Sequence, residues 1–210
     1  MSEAYLFAAS KAAAPDAALQ DLLRKAGARP AWLAEVHWLG APLPAAPEGW
    51  PFFAWPDYPL LPFFVLQSAL RGLQSGAFDL VALGQSAGEN AAALLLGSPA
   101  AVGRWNVPPL ARLSPLSVQS TTPAAFLAEA LRAASAFLPE DARLSLACLG
   151  GLPEVDPHSL PEGLALLLAD EPALARVAHL SAELAATQQD FALLAGAGER
   201  GGLAFLVERV

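Results

Sequence analysis

The sequence has little of what disulfides and metal sites are built from. It contains a single cysteine, Cys148, and three scattered histidines, so it offers no disulfide framework, no paired-cysteine knuckle and no HExxH motif. We therefore expect no metal and no cofactor. A chain without disulfides is typical of a reducing compartment, and we expect a cytoplasmic setting.

Positive charge is also scarce. Twelve Lys and Arg residues stand against twenty Asp and Glu residues, which gives a formal net charge of -8. A phosphate backbone or an anionic membrane surface would repel such a chain. No apolar run reaches the roughly 18 residues that a membrane span needs, and no basic segment precedes a long apolar one at the N-terminus. We expect no nucleic-acid partner, no membrane insertion and no export.

Apolar residues are abundant by contrast. They make up 55% of the 210 residues, and charged residues make up 15%. A chain of this length and composition can bury one large core. We predict a single domain over residues 1–210.

The most informative stretch runs from Pro62 to Gly97. Within Phe63–Gln74, leucines recur at three- and four-residue spacing, which predicts an amphipathic helix. Phe78–Gly84 is a short apolar run with a turn signal on each side, which predicts a strand buried on both faces. The local unit is therefore a helix packed on a sheet.

The residues after this strand, Gly84-Gln85-Ser86-Ala87-Gly88, have two incompatible interpretations. As a G-x-S-x-G nucleophile elbow they would lead into a helix and present Ser86 as the nucleophile of an esterase. As a polar turn they would join two strands, and Ala91–Leu96 would return antiparallel. The discriminating feature is whether the segment after Gly88 is helix or strand.

The order of elements then repeats, so we predict two pseudo-equivalent halves, residues 1–106 and 107–210. Each half is expected to run strand, helix, strand, helix, strand, strand. The predicted strands are Tyr5–Ala9, Leu33–Leu39, Phe78–Gly84, Ala91–Leu96, Leu110–Val118, Arg143–Leu149, Phe191–Ala195 and Leu203–Val207. The predicted helices are Asp16–Ala26, Phe63–Gln74, Thr122–Phe137 and an interrupted region from Pro161 to Ala186. The proline-rich segment from Gly40 to Pro62 is expected to be irregular.

Several of these segments resemble the thiolase-like superfamily, which includes thiolases and ketoacyl-ACP synthases. The segments are LRGLQSGAFDLVALG, GENAAALLLGSP, FLAEALRAASAFLPEDARLSLACL and DFALLAGAGERGGLAFLVERV, in the family's order. The resemblance implies an α/β fold of duplicated halves, a layered α/β sandwich with mixed sheets. GENAAALLLGSP resembles the family's "DGAAAVLL" strand, which favours the hairpin interpretation of Ser86.

The chain lacks the family's catalytic residues at the positions where the resemblance would place them. Condensing relatives carry a nucleophilic cysteine at the start of the second helix of the first repeat, where this chain has Asp57–Phe63 without a cysteine. No histidine directly follows the strand that holds Cys148. His158 lies several residues later, and His179 is only roughly where another family residue would sit. The resemblance thus implies a non-catalytic protein of acyl metabolism, of the fatty acid or polyketide type.

Two alternatives stay open. An acyltransferase or condensing enzyme with a non-standard site would use Cys148 and His179, with acyl-CoA or an acyl-carrier protein as its ligand. A serine esterase would use Ser86, with Asp156 and His158 or His179 following in the order of elbow enzymes.

Aromatic residues cluster where the family's nucleophile would be. They are Trp50, Phe52, Phe53, Trp55 and Tyr58. We predict that this loop fills the pocket where the family's nucleophile would lie, or that it contacts a partner. Thiolase-like proteins commonly pair by joining their sheets edge to edge, so the resemblance implies a homodimer, or a heterodimer with a thiolase-fold synthase.

Overall fold

The computed structural model describes residues 3–45, 50–58, 60–105, 107–118, 123–140, 142, 144, 146–150, 164–167, 171–198 and 201–210. Within these ranges the strands are β1 (Ala4–Ala12), β2 (Glu35–Leu39), β3 (Phe52–Trp55), β4 (Leu80–Ala87), β5 (Asn90–Gly97), β6 (Ala111–Leu116), β7 (Leu146–Gly150), β8 (Ala165–Leu167), β9 (Phe191–Gly198) and β10 (Gly201–Arg209). The helices are α1 (Pro15–Ala26), α2 (Leu61–Gln74), α3 (Pro99–Arg104), α4 (Pro123–Phe137) and α5 (Ala173–Thr187), with a short 3-10 helix at Pro30–Trp32.

Local sequence signals set the ends of α1. Pro15 occupies the first turn with Asp16, and Arg24 and Lys25 lie in the last turn, so the charges oppose the helix dipole at both ends. Gly27 adopts a left-handed conformation with φ 58° and donates its N–H to the carbonyls of the last turn. The predicted helix therefore begins and ends close to where its sequence signals fall.

The sheet order is symmetric about the pair β1 and β6. The order across the sheet is β3-β2-β4-β5-β1-β6-β10-β9-β7-β8, so the last five strands repeat the arrangement of the first five in mirror sequence. In each half the second, third and fourth strands are parallel neighbours and the fifth runs antiparallel. The halves join where Ala4–Leu6 of β1 pairs with Ala111–Leu113 of β6. This is the mixed α/β architecture that the sequence predicted.

The helices divide the molecule into layers. Helices α2 and α5 share a central cluster with strands of both halves, so they are packed between the two halves of the sheet. Helix α1 covers the outer face of the first half, and α4 covers the outer face of the second. Strands β4 and β9 are buried on both faces as a result, which explains their continuous apolar runs.

The segment after Gly88 is a strand, which confirms the hairpin interpretation. Strands β4 and β5 pair antiparallel from Leu80 and Gly97 to Ala87 and Asn90. Gly88 has φ 59° at the first central position of the two-residue turn, as a type II′ turn requires. The nucleophile-elbow alternative needed a helix at this point and is wrong in that respect.

Two short strands were missed by the sequence pattern. The segment expected to be irregular contains β3, and β8 replaces the beginning of the region expected to be helical from Pro161. Both lie at the ends of the sheet and have only four and three residues, too few to show a period. Each forms because it pairs in parallel with a neighbouring strand, β2 or β7. None of the helices in the described part of the chain is both long and apolar enough to cross a membrane.

Gly84 offers a test of this packing. A Cβ atom at this position would overlap the indole ring of Trp38, which is completely buried on the neighbouring strand β2. We expect Gly84→Ala to lower the free energy of unfolding by about 1–3 kcal/mol, the usual cost of overpacking a core. Urea denaturation followed by circular dichroism measures this change.

Gly103→Ala is the matched control. Gly103 lies in α3 and has open space where a Cβ would be, so alanine there should be neutral or slightly stabilising. Equal effects of the two substitutions would contradict the packing of Gly84 against Trp38.

Candidate functional site

Parallel strands place the starts of α2 and α5 at one pocket. A helix that returns from the carboxyl end of one parallel strand to the start of the next begins at the carboxyl edge of the sheet, which is the usual edge for ligands in α/β folds. Helix α2 connects β3 to β4 in this way, and α5 connects β8 to β9. Their first turns border a pocket of about 330 Å³. Its lining residues are Asp57, Tyr58, Pro62, Phe63, Gln85, Ala87, Glu171, Pro172, Ala173 and Arg176.

The start of α2 has no N–H group left for a ligand. Leu61 donates its N–H to the Tyr58 carbonyl at 3.0 Å, and Phe63 and Phe64 donate to the Leu60 carbonyl at 3.1 and 3.2 Å. Pro62 has no N–H. A helix start usually stabilises an anion through such free donors. In α2 these N–H groups already donate to carbonyl groups of the chain itself.

Phe63, in the same first turn of α2, is part of the hydrophobic core. Its ring is buried and lies 6.4 Å, centroid to centroid, from Phe205 of β10, at an interplanar angle of 19°. A Cβ atom on Gly196 of β9 would come within 2.5 Å of the Phe63 ring. The first turn of α2 therefore holds the two halves together.

Gln85 connects the two helix starts. Only 4% of this residue is exposed. Its Nε2 donates to Asp57 Oδ1 at 3.1 Å, and its Oε1 accepts the N–H of Leu174, in the first turn of α5, at 3.2 Å. A side chain from β4 in the first half thus satisfies an otherwise unpaired donor at the start of α5 in the second half.

Charge in the pocket is mixed. Lys11 donates to Glu171 Oε1 at 2.7 Å, and this hydrogen bond is the main reason why the pKa of the Glu171 carboxyl lies below its usual value. Arg176 contributes a buried Nε that has no hydrogen-bond partner. Asp57 and Glu171 would disfavour an additional anion beside them, including a thiolate.

The residues of the acyltransferase alternative lie elsewhere. His179 is in the second turn of α5, with Nδ1 at 3.4 Å from Glu171 Oε2, and it borders a separate cavity near Lys11 rather than this pocket. Cys148 lies on β7, where its backbone pairs with Leu167 and Leu194. Its side chain, like His158 and Asp156, is outside the described part of the chain. The proposed roles of Cys148 and His179 stay predictions.

Ser86 is held in the sheet by two hydrogen bonds. Its Oγ donates to the Pro42 carbonyl at 2.6 Å and accepts the Trp38 Nε1–H at 2.9 Å. The residue is only 2% exposed. No histidine contacts Ser86 among the residues that the structure describes, so that part of the chain supplies no general base for a serine nucleophile.

The five aromatic residues of the predicted loop lie in three places. Trp50 and Phe52 pack against the outer cluster under α1, and Tyr58 borders the pocket with 63% of its surface exposed. Phe53 and Trp55 lie exposed on the edge strand β3. Whether this segment meets a partner stays a prediction.

Sequence reasoning missed the polar residues that line the pocket. Asp57, Gln85, Glu171 and Arg176 come from separate parts of the chain and show no common motif. The signal that was present is Gln85, a polar residue that follows directly on the apolar run of a strand predicted to be buried. Such a residue has to find hydrogen-bond partners, so it marks a structural bridge or a site.

The fold as a whole is thiolase-like. No family model matches the sequence, and no curated protein matches it. Solved structures do match in shape. Human mitochondrial 3-ketoacyl-CoA thiolase superposes with a TM-score of 0.70 over 99% of each chain, at 10% sequence identity, and its complex with CoA gives the same TM-score.

A second group of similar structures is OleA from Xanthomonas campestris. One OleA variant superposes with a TM-score of 0.65 at 11% identity, covering 96% of this chain and 82% of the other. A variant bound with cerulenin gives 0.61 at 12% identity. At these identities the likeness establishes the fold and leaves the chemistry to the residues themselves.

The Glu171 carboxylate makes part of the stability depend on pH. Because its folded-state pKa is depressed, its contribution is present above the unfolded-state pKa and is lost as pH falls through the folded-state pKa. Glu171→Gln should lower the free energy of unfolding at pH 7 by no more than about 1 kcal/mol, since both partners are partly exposed. The difference from the wild type should shrink as pH falls below 4.

Chemical denaturation at a series of pH values measures this difference. Glu129→Gln is the control, because Glu129 lies 3.9 Å from Arg132 on the surface of α4. A Glu171→Gln effect that is the same at low and neutral pH would contradict the Lys11 pairing.

Proposed function

We propose that this chain is a non-catalytic thiolase-fold protein that works as a dimeric scaffold or partner subunit in acyl metabolism. It pairs with a second copy, or with a thiolase-fold synthase, through the free edge of β3. The link to acyl metabolism rests on the likeness to 3-ketoacyl-CoA thiolase.

The observation that carries this proposal is the start of α2. A reactive thiolate needs a nucleophilic side chain, free N–H donors and a positive environment. Here the N–H donors bond to the carbonyls of Tyr58 and Leu60, and Phe63 packs in the core. The charge at the pocket is mixed, since Asp57 and Glu171 border it together with Arg176. None of the described residues that line the pocket is a cysteine, serine or histidine.

The edge of β3 supports assembly. Strand β3 pairs with β2 alone among the described strands, so its outer row of backbone groups is open. His37 on β2 stacks on Phe53 at 5.0 Å and on Trp55 at 6.0 Å. Trp55 Nε1 also donates to His37 Nδ1 at 3.1 Å, while His37 Nε2 lies 2.8 Å from Glu35.

These contacts hold the aromatic side chains in place before any partner arrives. Trp55 is 37% exposed and Phe53 is 43% exposed. Rigid aromatic residues beside an unpaired strand favour strand addition, in which backbone hydrogen bonds give affinity and side chains give specificity.

Intact-mass spectrometry tests the absence of catalysis. The purified protein is incubated with a mixture of acyl-CoA thioesters and, separately, with a fluorophosphonate, beside the variants Cys148→Ala and Ser86→Ala. We expect no covalent adduct on any of the three proteins. The Ser86 side chain is buried and its hydroxyl is already hydrogen-bonded, and the start of α2 carries no nucleophile.

Two results would overturn the non-catalytic assignment. An acyl adduct that disappears in Cys148→Ala would restore an acyl-transfer role. A fluorophosphonate adduct that disappears in Ser86→Ala would establish a serine hydrolase.

Light scattering tests the assembly. We expect the wild-type protein to have twice the chain mass and Trp55→Ala to dissociate at concentrations where the wild type stays paired. Loss of a central aromatic residue commonly costs about 2 kcal/mol of binding free energy, which corresponds to a roughly 30-fold weaker dimer.

Trp32→Ala is the matched control, because Trp32 is also exposed, at 46% against 37% for Trp55, but lies in the 3-10 helix rather than on β3. Its mass should equal that of the wild type. A wild-type protein that is monomeric alone and also fails to bind a thiolase-fold synthase would refute the partner-subunit proposal.

A further inference from the structure

A second exposed aromatic site lies at the opposite end of the first-half sheet from the pocket. It is a groove of about 510 Å³ between the end of α1, the start of β4 and the end of α3. We call it the tryptophan groove, and its lining residues are Ala26, Gly27, Trp32, Asp79, Arg104, Trp105 and Val107. This volume is within the range of pockets that hold a ligand or a peptide anchor.

The aromatic wall of the tryptophan groove is made of rings that pack on one another. The Trp32 ring meets the Trp105 ring edge-to-face, with centroids 4.7 Å apart and an interplanar angle of 66°. Trp105 lies in turn 6.4 Å from the ring of Phe7 on β1. Trp32 nevertheless remains 46% exposed. A tryptophan that is fixed in place but open to solvent loses little entropy when a partner covers it.

Two arginines lie at this aromatic wall. Arg29 Cζ lies 5.6 Å from the centroid of the Trp32 ring, and Arg29 makes no ion pair with the residues that the structure describes. Arg104 pairs with Asp79, whose carboxylate also accepts a hydrogen bond from Ser98 at 3.1 Å. Arg104 is two-thirds exposed beyond this pair.

The charge is notable because the chain as a whole carries a net charge of -8. Arg24 and Lys25 in the last turn of α1 both pair with Asp21, and Lys25 borders a different cavity, so the positive charge at the groove itself comes from Arg29 and Arg104. A nucleic acid would meet the acidic remainder of the surface, whereas a short acidic segment would meet only this end.

We infer that the tryptophan groove is a docking site for an acidic segment of a partner protein, with an apolar side chain anchored against Trp32. Arg29 and Arg104 attract the carboxylates of the segment. The aromatic wall buries its anchor. This contact is separate from the β3 edge, so either can exist without the other.

Fluorescence polarisation on the full-length protein tests this assignment. The probe is a fluorescein-labelled 16-residue amphipathic peptide with leucine on one face and glutamate on the other, and its counterpart carries lysine in place of glutamate. We expect the acidic peptide to bind with micromolar affinity and the basic one to bind at least tenfold more weakly. Binding of the acidic peptide should weaken further as salt is raised.

Variants locate the binding site of the peptide. Trp32→Ala should weaken acidic-peptide binding at least tenfold, and Arg29→Gln should weaken it severalfold. Trp55→Ala is the control and should leave binding unchanged. Arg29 is exposed, so Arg29→Gln reports on the groove even if Trp32→Ala disturbs the fold.

Four results would overturn the inference. The first is that the acidic peptide does not bind, and the second is that the basic peptide binds equally well. The third is that binding survives both groove substitutions. The fourth is that ATP binds in the groove and the peptide does not, which would indicate a small anionic ligand. Loss of peptide binding in Trp55→Ala but not in Trp32→Ala would place the contact on the β3 edge instead.

Discussion

The contact of Phe63 with Gly196 and Phe205 is the constraint on which the rest of the structure depends. It places the first turn of α2 against two strands of the other half, so one apolar cluster serves both halves. Burial of a phenylalanine of this size contributes on the order of 2–3 kcal/mol. Because Phe63 is part of the helix start, the first turn of α2 is committed to core packing.

Polar contacts at the same place reinforce this arrangement. Gln85 ties Asp57 beside α2 to the Leu174 N–H at the start of α5, so both helix starts are satisfied from within the chain. An active site leaves donors and charges unpaired until a substrate arrives, and it gives up stability to do so. Among the described residues that line this pocket, two buried side-chain atoms have no hydrogen-bond partner, Nε of Arg176 and Oε2 of Glu171.

The sequence predicted those features that depend on local pattern. The long helices and the buried strands β4 and β5 follow from apolar periodicity and from the turn at Gly88, and their order was sufficient to indicate the fold class. The edge strands β3 and β8 could not be predicted, because three or four residues carry no period and their structure comes from a neighbour far along the chain. The pocket was missed for the same reason, since Gln85 and Leu174 are 89 residues apart.

Trp38 explains why a G-x-S-x-G pattern occurs in a chain without a nucleophile elbow. Side chains alternate along a strand, so residues 84 and 86 of β4 face the same side, and that side meets the indole of Trp38 on β2. The ring leaves no room for a Cβ at Gly84, and its N–H needs the acceptor that Ser86 supplies. Gly88 follows two residues later because the turn into β5 requires a positive φ. One buried tryptophan and one tight turn therefore generate the spacing of a catalytic motif, and the strand after Gly88 distinguishes the two origins.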